Sequence, residues 1–214
     1  VIVREVRLPA ALLAVAAGAA LGLAGAEMQT TLNNALASPF TLGISSAAVF
    51  GAALAIVLGW QIPGVPADWI LPVNAFLMAL AAIALLLQVG RSQTVPVETL
   101  VLFGTALFFA GNAAVAILQY VASPDDLQQL VFWTMGSLGR ATMGKVLLVA
   151  VAMLVVVPFA VAASWRLTAL RMGEERARSL GVDVQRLRRA SLLRVAVLTA
   201  TAVGAWGLHA FPVQ

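Results

Sequence analysis

Few side chains in this 214-residue sequence could do covalent chemistry: it has no cysteine and one histidine, His209. No stretch reads as a phosphate-cradling G-x-x-x-x-G-K-[ST], a G-x-S-x-G nucleophile turn or a zinc-binding H-E-x-x-H. The sequence also lacks the clustered His, Cys and carboxylate residues that hold a metal. The expectation is a chain that is not an enzyme and carries no metal and no cofactor. What remains is the chemistry of charge. In "MGEERARSLGVDVQRLRR" (172–189), Arg176, Arg178, Arg186, Arg188 and Arg189 stand with Glu174, Glu175 and Asp183, in a protein that is 62% hydrophobic and 10% charged. Such an island can pair internally, grip a charged partner or set an orientation in a membrane.

The elements that must carry the island are apolar. Charged residues make up 10% of the chain, against roughly 25% in soluble domains. A membrane-spanning helix needs about 20 mostly apolar residues. Six candidate runs stand at Leu8–Ala26, Ile44–Trp60, Trp69–Val89, Leu100–Val121, Val146–Ala163 and Ala190–Ala210. They are continuous and rich in Leu, Ala and Val, whereas a β-barrel shows short alternating segments. The expected fold is an all-α polytopic bundle, with residues 1–214 forming a single transmembrane domain. Small residues within the runs (Gly18, Gly22, Gly25; Gly51, Ala52, Ala53) are expected to let the helices approach closely.

Charge orients the bundle. Of the 13 basic residues, Arg166, Arg171, Arg176, Arg178, Arg186, Arg188, Arg189 and Arg194 lie in or beside the loop between runs five and six. Basic short loops stay cytoplasmic, so the net charge of +4 reads as topology and not as a nucleic-acid surface. Alternation places Glu27–Gly43 and Gly90–Thr99 on the same side as the island, and Gln61–Asp68 and Ser123–Lys145 opposite. The N-terminus then lies outside despite Arg4 and Arg7, which conflicts with the same rule. Within the island, "EERARSL" (174–180) predicts a helix with Gly181 at its C′ position. "DVQRLRRASLLRV" (183–195) predicts a second, capped by Asp183. The pair is expected to lie at the membrane surface, with Glu174 and Glu175 in helical pairing range of Arg178.

Three separated stretches, in order, resemble the permease subunits of ABC importers for iron-siderophores, haem and vitamin B12. They are "GLAGAEMQTTLNNALASPFTLGISSAAVFGAALAIVLG" (22–59), "DLQQLVFWTMGSLGRATMGK" (126–145) and "LRMGEERARSLGVDVQRLR" (170–188). Against the family pattern G-A-x-x-Q-x-x-x-x-N-P-L-A-x-P-x-x-L-G-I-S-x-G-A, the matches are Gly25, Ala26, Gln29, Asn34, Leu36, Ala37, Pro39, Leu42, Gly43, Ile44 and Ser45. Ala35 departs at the proline and Ala47 at a glycine. The resemblance implies a ten-helix permease of which this chain covers the second to the seventh helix, so that it reads as truncated. It also implies an ABC ATPase subunit that supplies ATP hydrolysis, an external solute-binding protein, a second permease subunit in a homo- or heterodimer, and a bacterial inner membrane.

By the same resemblance, the loop at 166–189 becomes the coupling helices that dock in the ATPase, through Leu170, Gly173, Glu174, Glu175, Ala177, Leu180, Gly181 and Val182. Leu180 and Val182 would supply the apolar anchor and the charges the register. Arg4 and Arg7 would meet the binding protein, or snorkel at the interface. The short helix around Asp126 and Leu130 would line the pathway with Trp133, Met135, Gly136 and Gly139, unless Phe132 and Trp133 form an interfacial belt. Glu98 falls in the expected cytoplasmic gate. Asn112 and Gln119 face either the pathway or a neighbouring helix, and Glu27 caps its helix or meets the surface. The competing class is an ion-coupled secondary transporter, which expects broken helices and midplane ionisable residues. The middles of these runs contain almost none. A non-functional remnant that still inserts in the membrane is the third possibility.

Overall fold

The computed structural model describes residues 3–90, 97–135 and 141–206. Those residues form helices joined by turns, with no strand among them. A π-helical turn at Val3–Arg7 leads into α1 (Leu8–Thr31), followed by α2 (Ile44–Val57), α3 (Ala67–Val89), α4 (Val97–Val121) and α5 (Pro124–Met135). Then come α6 (Met143–Arg171), the short α7 (Glu174–Ser179) and α8 (Val184–Trp206). Each of the six apolar runs carries a helix among the described residues, but of these only α1, α3, α4 and α6 are both long and apolar enough to cross a membrane.

The other two depart for different reasons. The 14 residues of α2 span about 21 Å, short of a hydrocarbon core about 30 Å thick. The non-helical segment before it buries Ala37, Pro39 and Leu42 but exposes Leu36 and Phe40. In α8, the expected surface helix and the expected sixth run are one continuous helix. Only α7 remains as a separate short helix, and four arginines occupy the first half of α8.

α8 is the axis of the bundle, packing against α1, α2, α3 and α6. From Val195 to Ala205 nearly every side chain is buried, as expected of a helix that is apolar on all sides. α2 is held between α3 and α4.

Small residues do set close approaches, though not all of the expected ones. A Cβ on Gly51 would strike the backbone of Asn74 in α3, and one on Gly104 would strike Leu42. Gly43 caps α2 at φ 77°, and a Cβ there would lie 2.6 Å from the Phe108 nitrogen, so both its conformation and its contact require glycine. By contrast Gly18, Gly22 and Gly25 face open space. α1 packs instead through Leu13, Ala17, Ala20, Ala24 and Met28, a stripe at helical spacing.

Gly51→Leu should therefore cost about 1–3 kcal/mol through overpacking and lower the midpoint of SDS unfolding of the purified protein. Gly22→Ala should leave the midpoint unchanged or slightly higher. Equal midpoints for the two variants would refute the α2–α3 contact.

Candidate functional site

The charged island folds as an elbow. α6 ends at Arg171, and Gly173, at φ 109°, turns the chain into α7. Glu174 and Glu175 occupy the first turn of α7, and Arg176 and Arg178 its last, an order that suits the helix dipole. The end of α7 is a Schellman motif. Val182 N–H donates to the Ala177 carbonyl (3.0 Å) and Gly181 N–H to that of Arg178 (2.9 Å), with Gly181 at φ 80°. Asp183 then caps α8, its Oδ1 accepting from the Arg186 N–H at 3.0 Å. The composition of residues 179–184 thus stops one helix and starts the next within a few residues.

The elbow has its own small core, made of Ala163, Leu167, Ala169, Leu170, Ala177, Val182, Val184 and Leu187. Val182, expected to anchor a partner, points into that core, as do Leu170 and Ala177. The apolar side chains offered outward are Leu180, 54% exposed, and Met172. Glu174 pairs with Arg178 at 3.2 Å and also with Arg188 of α8, closing α7 onto α8. Glu175 is exposed. Among the expected coupling residues, then, Glu175, Leu180 and Gly181 face outward, and the rest hold the elbow's shape.

One and a half turns beyond Arg188, α8 meets α1 in a buried polar junction. Glu27 is 4% exposed, and its carboxylate accepts from Arg194 Nε at 2.9 and 3.1 Å and from Ser191 Oγ at 2.8 Å. Thr31 Oγ1 lies 2.6 Å from Ser191 Oγ. Glu27 is therefore neither a cap nor a surface residue. It is the acceptor of an ion pair between residues 167 positions apart. A carboxylate at the end of an apolar run was the signal for this site, but nothing local in the sequence named Arg194 as its partner.

The remaining expected residues are dispersed. Arg7 is exposed at the N-terminus of α1, and the side chain of Arg4 lies outside the described set. Glu98, in the first turn of α4, borders a cleft of about 540 Å³ with Asn33, Asn34 and Thr105. Asn112 sits on the exposed face of α4 and donates to the Phe108 carbonyl of its own helix at 2.8 Å. Trp133 is 7% exposed and packs in the main core with Leu130, so it is not part of an interfacial belt. Met135 is half-exposed. Gly136, Gly139, Arg91, residues 92–96 and His209 lie outside the described residues.

The ends of the helices sort as alternation requires. The Glu27–Arg194 pair and a small gap bordered by Gly90, Leu100, Gln185 and Arg188 bring the ends of α1 and α3 and the start of α4 to the elbow side.

Known proteins resemble this chain in sequence and in overall fold. Residues 1–211 match the FecCD transport family. The chain is 34% identical to the hemin transport system permease protein of Yersinia pestis, over 97% of this chain and 62% of that protein. It is 33% identical to the vitamin B12 import system permease protein of Vibrio vulnificus, over 97% and 61%. The molybdate import system permease protein of Haemophilus influenzae is 33% identical over 87% and 54%. A solved metal-chelate type ABC transporter in an inward-facing conformation superposes with a TM-score of 0.86 at 30% identity, covering 96% of this chain and 64% of that one. The chain spans about three fifths of the length of the relatives it matches.

The polar junction carries its own test. Glu27→Gln leaves the Arg194 guanidinium buried without its counter-charge, a loss of roughly 3–5 kcal/mol measurable by SDS or urea unfolding in micelles. Glu27→Leu with Arg194→Leu removes both charges and should recover most of that loss. Additive losses in the double variant would mean the two side chains are not coupled.

Proposed function

This chain belongs to the FecCD transport family, and on that premise we propose that it is the membrane-spanning permease part of a binding-protein-dependent ABC importer. The substrate class that fits is an organic metal chelate: an iron-siderophore, haem or a related compound. Hemin and vitamin B12 in the names of its relatives, and the metal-chelate type of the matching structure, support this reading. The molybdate permease among the relatives marks how far substrates can diverge on this scaffold. A permease with this role works with an ATPase subunit, an external solute-binding protein and a second permease subunit, in the inner membrane of a bacterial cell. It is not itself an enzyme: the ATPase supplies the hydrolysis.

The observation that carries the proposal is the elbow. α7 is fastened to α8 through Glu174 and Arg188, and α8 continues without a break into the centre of the bundle. A force applied to the outward face at Glu175, Leu180 and Gly181 reaches α1, α2, α3 and α6 through one rigid element. Leu180 gives the ATPase an apolar knob, and the surrounding arginines and glutamates set its register. At the opposite end Arg7 would meet the binding protein. The exposed face of α4, with Leu102, Phe109, Asn112 and Ile117, would look toward the second permease and the pathway, and Glu98 with Asn33 and Asn34 would form part of the inner gate. Movement at the elbow would then tilt α8 and alternate access between the two sides.

Leu180→Glu is the cleanest probe, because that side chain is more than half exposed and lies outside the elbow's buried core. In the full-length transporter it should leave folding intact but reduce co-purification with the ATPase and substrate-stimulated ATP hydrolysis by about tenfold or more, the loss expected when a charge is buried at the centre of an interface. Undiminished association and coupling would remove the elbow as the docking element. Uptake that survives ATP depletion and collapses with the ion gradient would replace the importer assignment with ion-coupled transport.

A further inference from the structure

Beside the elbow lies a cleft of about 570 Å³, walled by α6 on one side and by the start of α8 on the other. Its deeper wall is apolar, from Phe159, Ala162 and Ala163, and Trp165 stands exposed at its edge. Three guanidinium groups line it, Arg166, Arg186 and Arg194, against the single carboxylate of Asp183. They are unequally used. Arg186 is paired with Asp183 at 3.0 Å. Arg194 gives its Nε to Glu27, but its buried Nη2 has no partner. Arg166 makes no ion pair or hydrogen bond among the described residues. The donors open to the cavity are therefore those of Arg166 and the two Nη groups of Arg186, whose Nε alone meets Asp183, while the spare nitrogen of Arg194 is closed off behind them. A guanidinium recognises phosphate through paired parallel N–H groups.

Depth identifies the ligand. Arg166 stands five residues before the end of α6, about 7.5 Å along the axis. Phe159 is seven residues further in, about 10 Å deeper. At 29 residues, α6 is about 43 Å long and overreaches a hydrocarbon core of about 30 Å, so Arg166 falls in the headgroup zone and Phe159 in the acyl zone. A free phosphate would gain nothing from the apolar wall beneath the arginines. An amphiphile uses both. Basic pockets between membrane helices on the positively charged side are suited to anionic lipid headgroups.

We propose that this cleft binds an anionic phospholipid, its phosphate held between Arg166 of α6 and Arg186 of α8 and an acyl chain laid along Phe159 and Ala162. The lipid bridges α6 and α8 at the root of the elbow and supplies the counter-charge that the protein leaves out. The site rests on the membrane placement of the chain, and of the proposed ATPase-facing residues only Gly181 borders it.

Trp165 reports on the site directly. The full chain is reconstituted in nanodiscs containing dibrominated phosphatidylglycerol or dibrominated phosphatidylcholine at equal mole fraction, and the quenching lost in Trp165→Phe is assigned to the cleft. That component should be about fivefold more sensitive to the anionic lipid, one guanidinium's share of attraction to an anionic headgroup. The preference should disappear in Arg166→Gln and persist in Arg171→Gln, an exposed arginine at the same end of α6 that does not line the cleft. Equal quenching by the two lipids, or equal effects of the two arginine variants, would overturn the proposal. So would complete displacement of the anionic lipid by inorganic phosphate, which would show a site for free anions.

Discussion

The buried pair of Glu27 and Arg194 is the interaction on which the arrangement of this bundle turns. Two opposite charges, 4% and 11% exposed as side chains, are withdrawn from water where the end of α1 meets the middle of α8. Such a pair is poor evidence for net stability, since desolvation consumes much of the Coulomb attraction. Its geometric consequence is definite. An apolar helix of alanine, leucine and valine can slide or rotate against its neighbours with little change in energy, but a carboxylate that takes Arg194 Nε and Ser191 Oγ together admits one register. α8 is pinned at that point, and because α8 touches most of the other long helices, the bundle inherits the constraint.

The elbow is built on the same logic at smaller scale. Its shape rests on a few backbone devices: a glycine at each end of α7, a Schellman closure and an aspartate cap. Its stiffness comes from packing, as Ala177, Val182 and Leu187 meet Ala163, Leu167 and Leu170 of α6. The arginines that look like one undifferentiated positive patch divide by function once folded. Arg188 ties α7 to α8, Arg194 ties α8 to α1, and Arg166 is left unpaired over a cleft. The positive charge that orients the loop also builds the local structure, and the two roles do not compete because orientation depends only on where the charges sit along the chain.

Much of this was legible in the sequence. The all-α membrane fold, the order of the helices, the break at Gly181 and the Asp183 cap follow from hydropathy, length and turn chemistry, all of which are local. Two features were misread and a third was left open, for physical reasons. The continuity of α8 was hidden because its first half is too charged for an apolar run, although arginine is a good helix former. The glycines of α1 looked like a packing face, but composition does not say which side of a helix meets a neighbour, and Ala17, Ala20 and Ala24 took that role. Trp133 stood open between a pathway helix and an aromatic belt, and only packing showed it buried in the main core with Leu130.

By itself the sequence determined what must leave water and what must stay near it: long apolar stretches commit the chain to helices in a membrane, and clustered arginines commit one loop to a single side. Those choices are settled by solvation, which each segment meets independently of the others. Only the tertiary structure decided that Glu27 faces Arg194, that Val182 turns inward while Leu180 turns outward, and that Arg166 shares a cleft with α8. Side-chain partners at such separations depend on helix rotation and register, and these are fixed when the helices pack against one another.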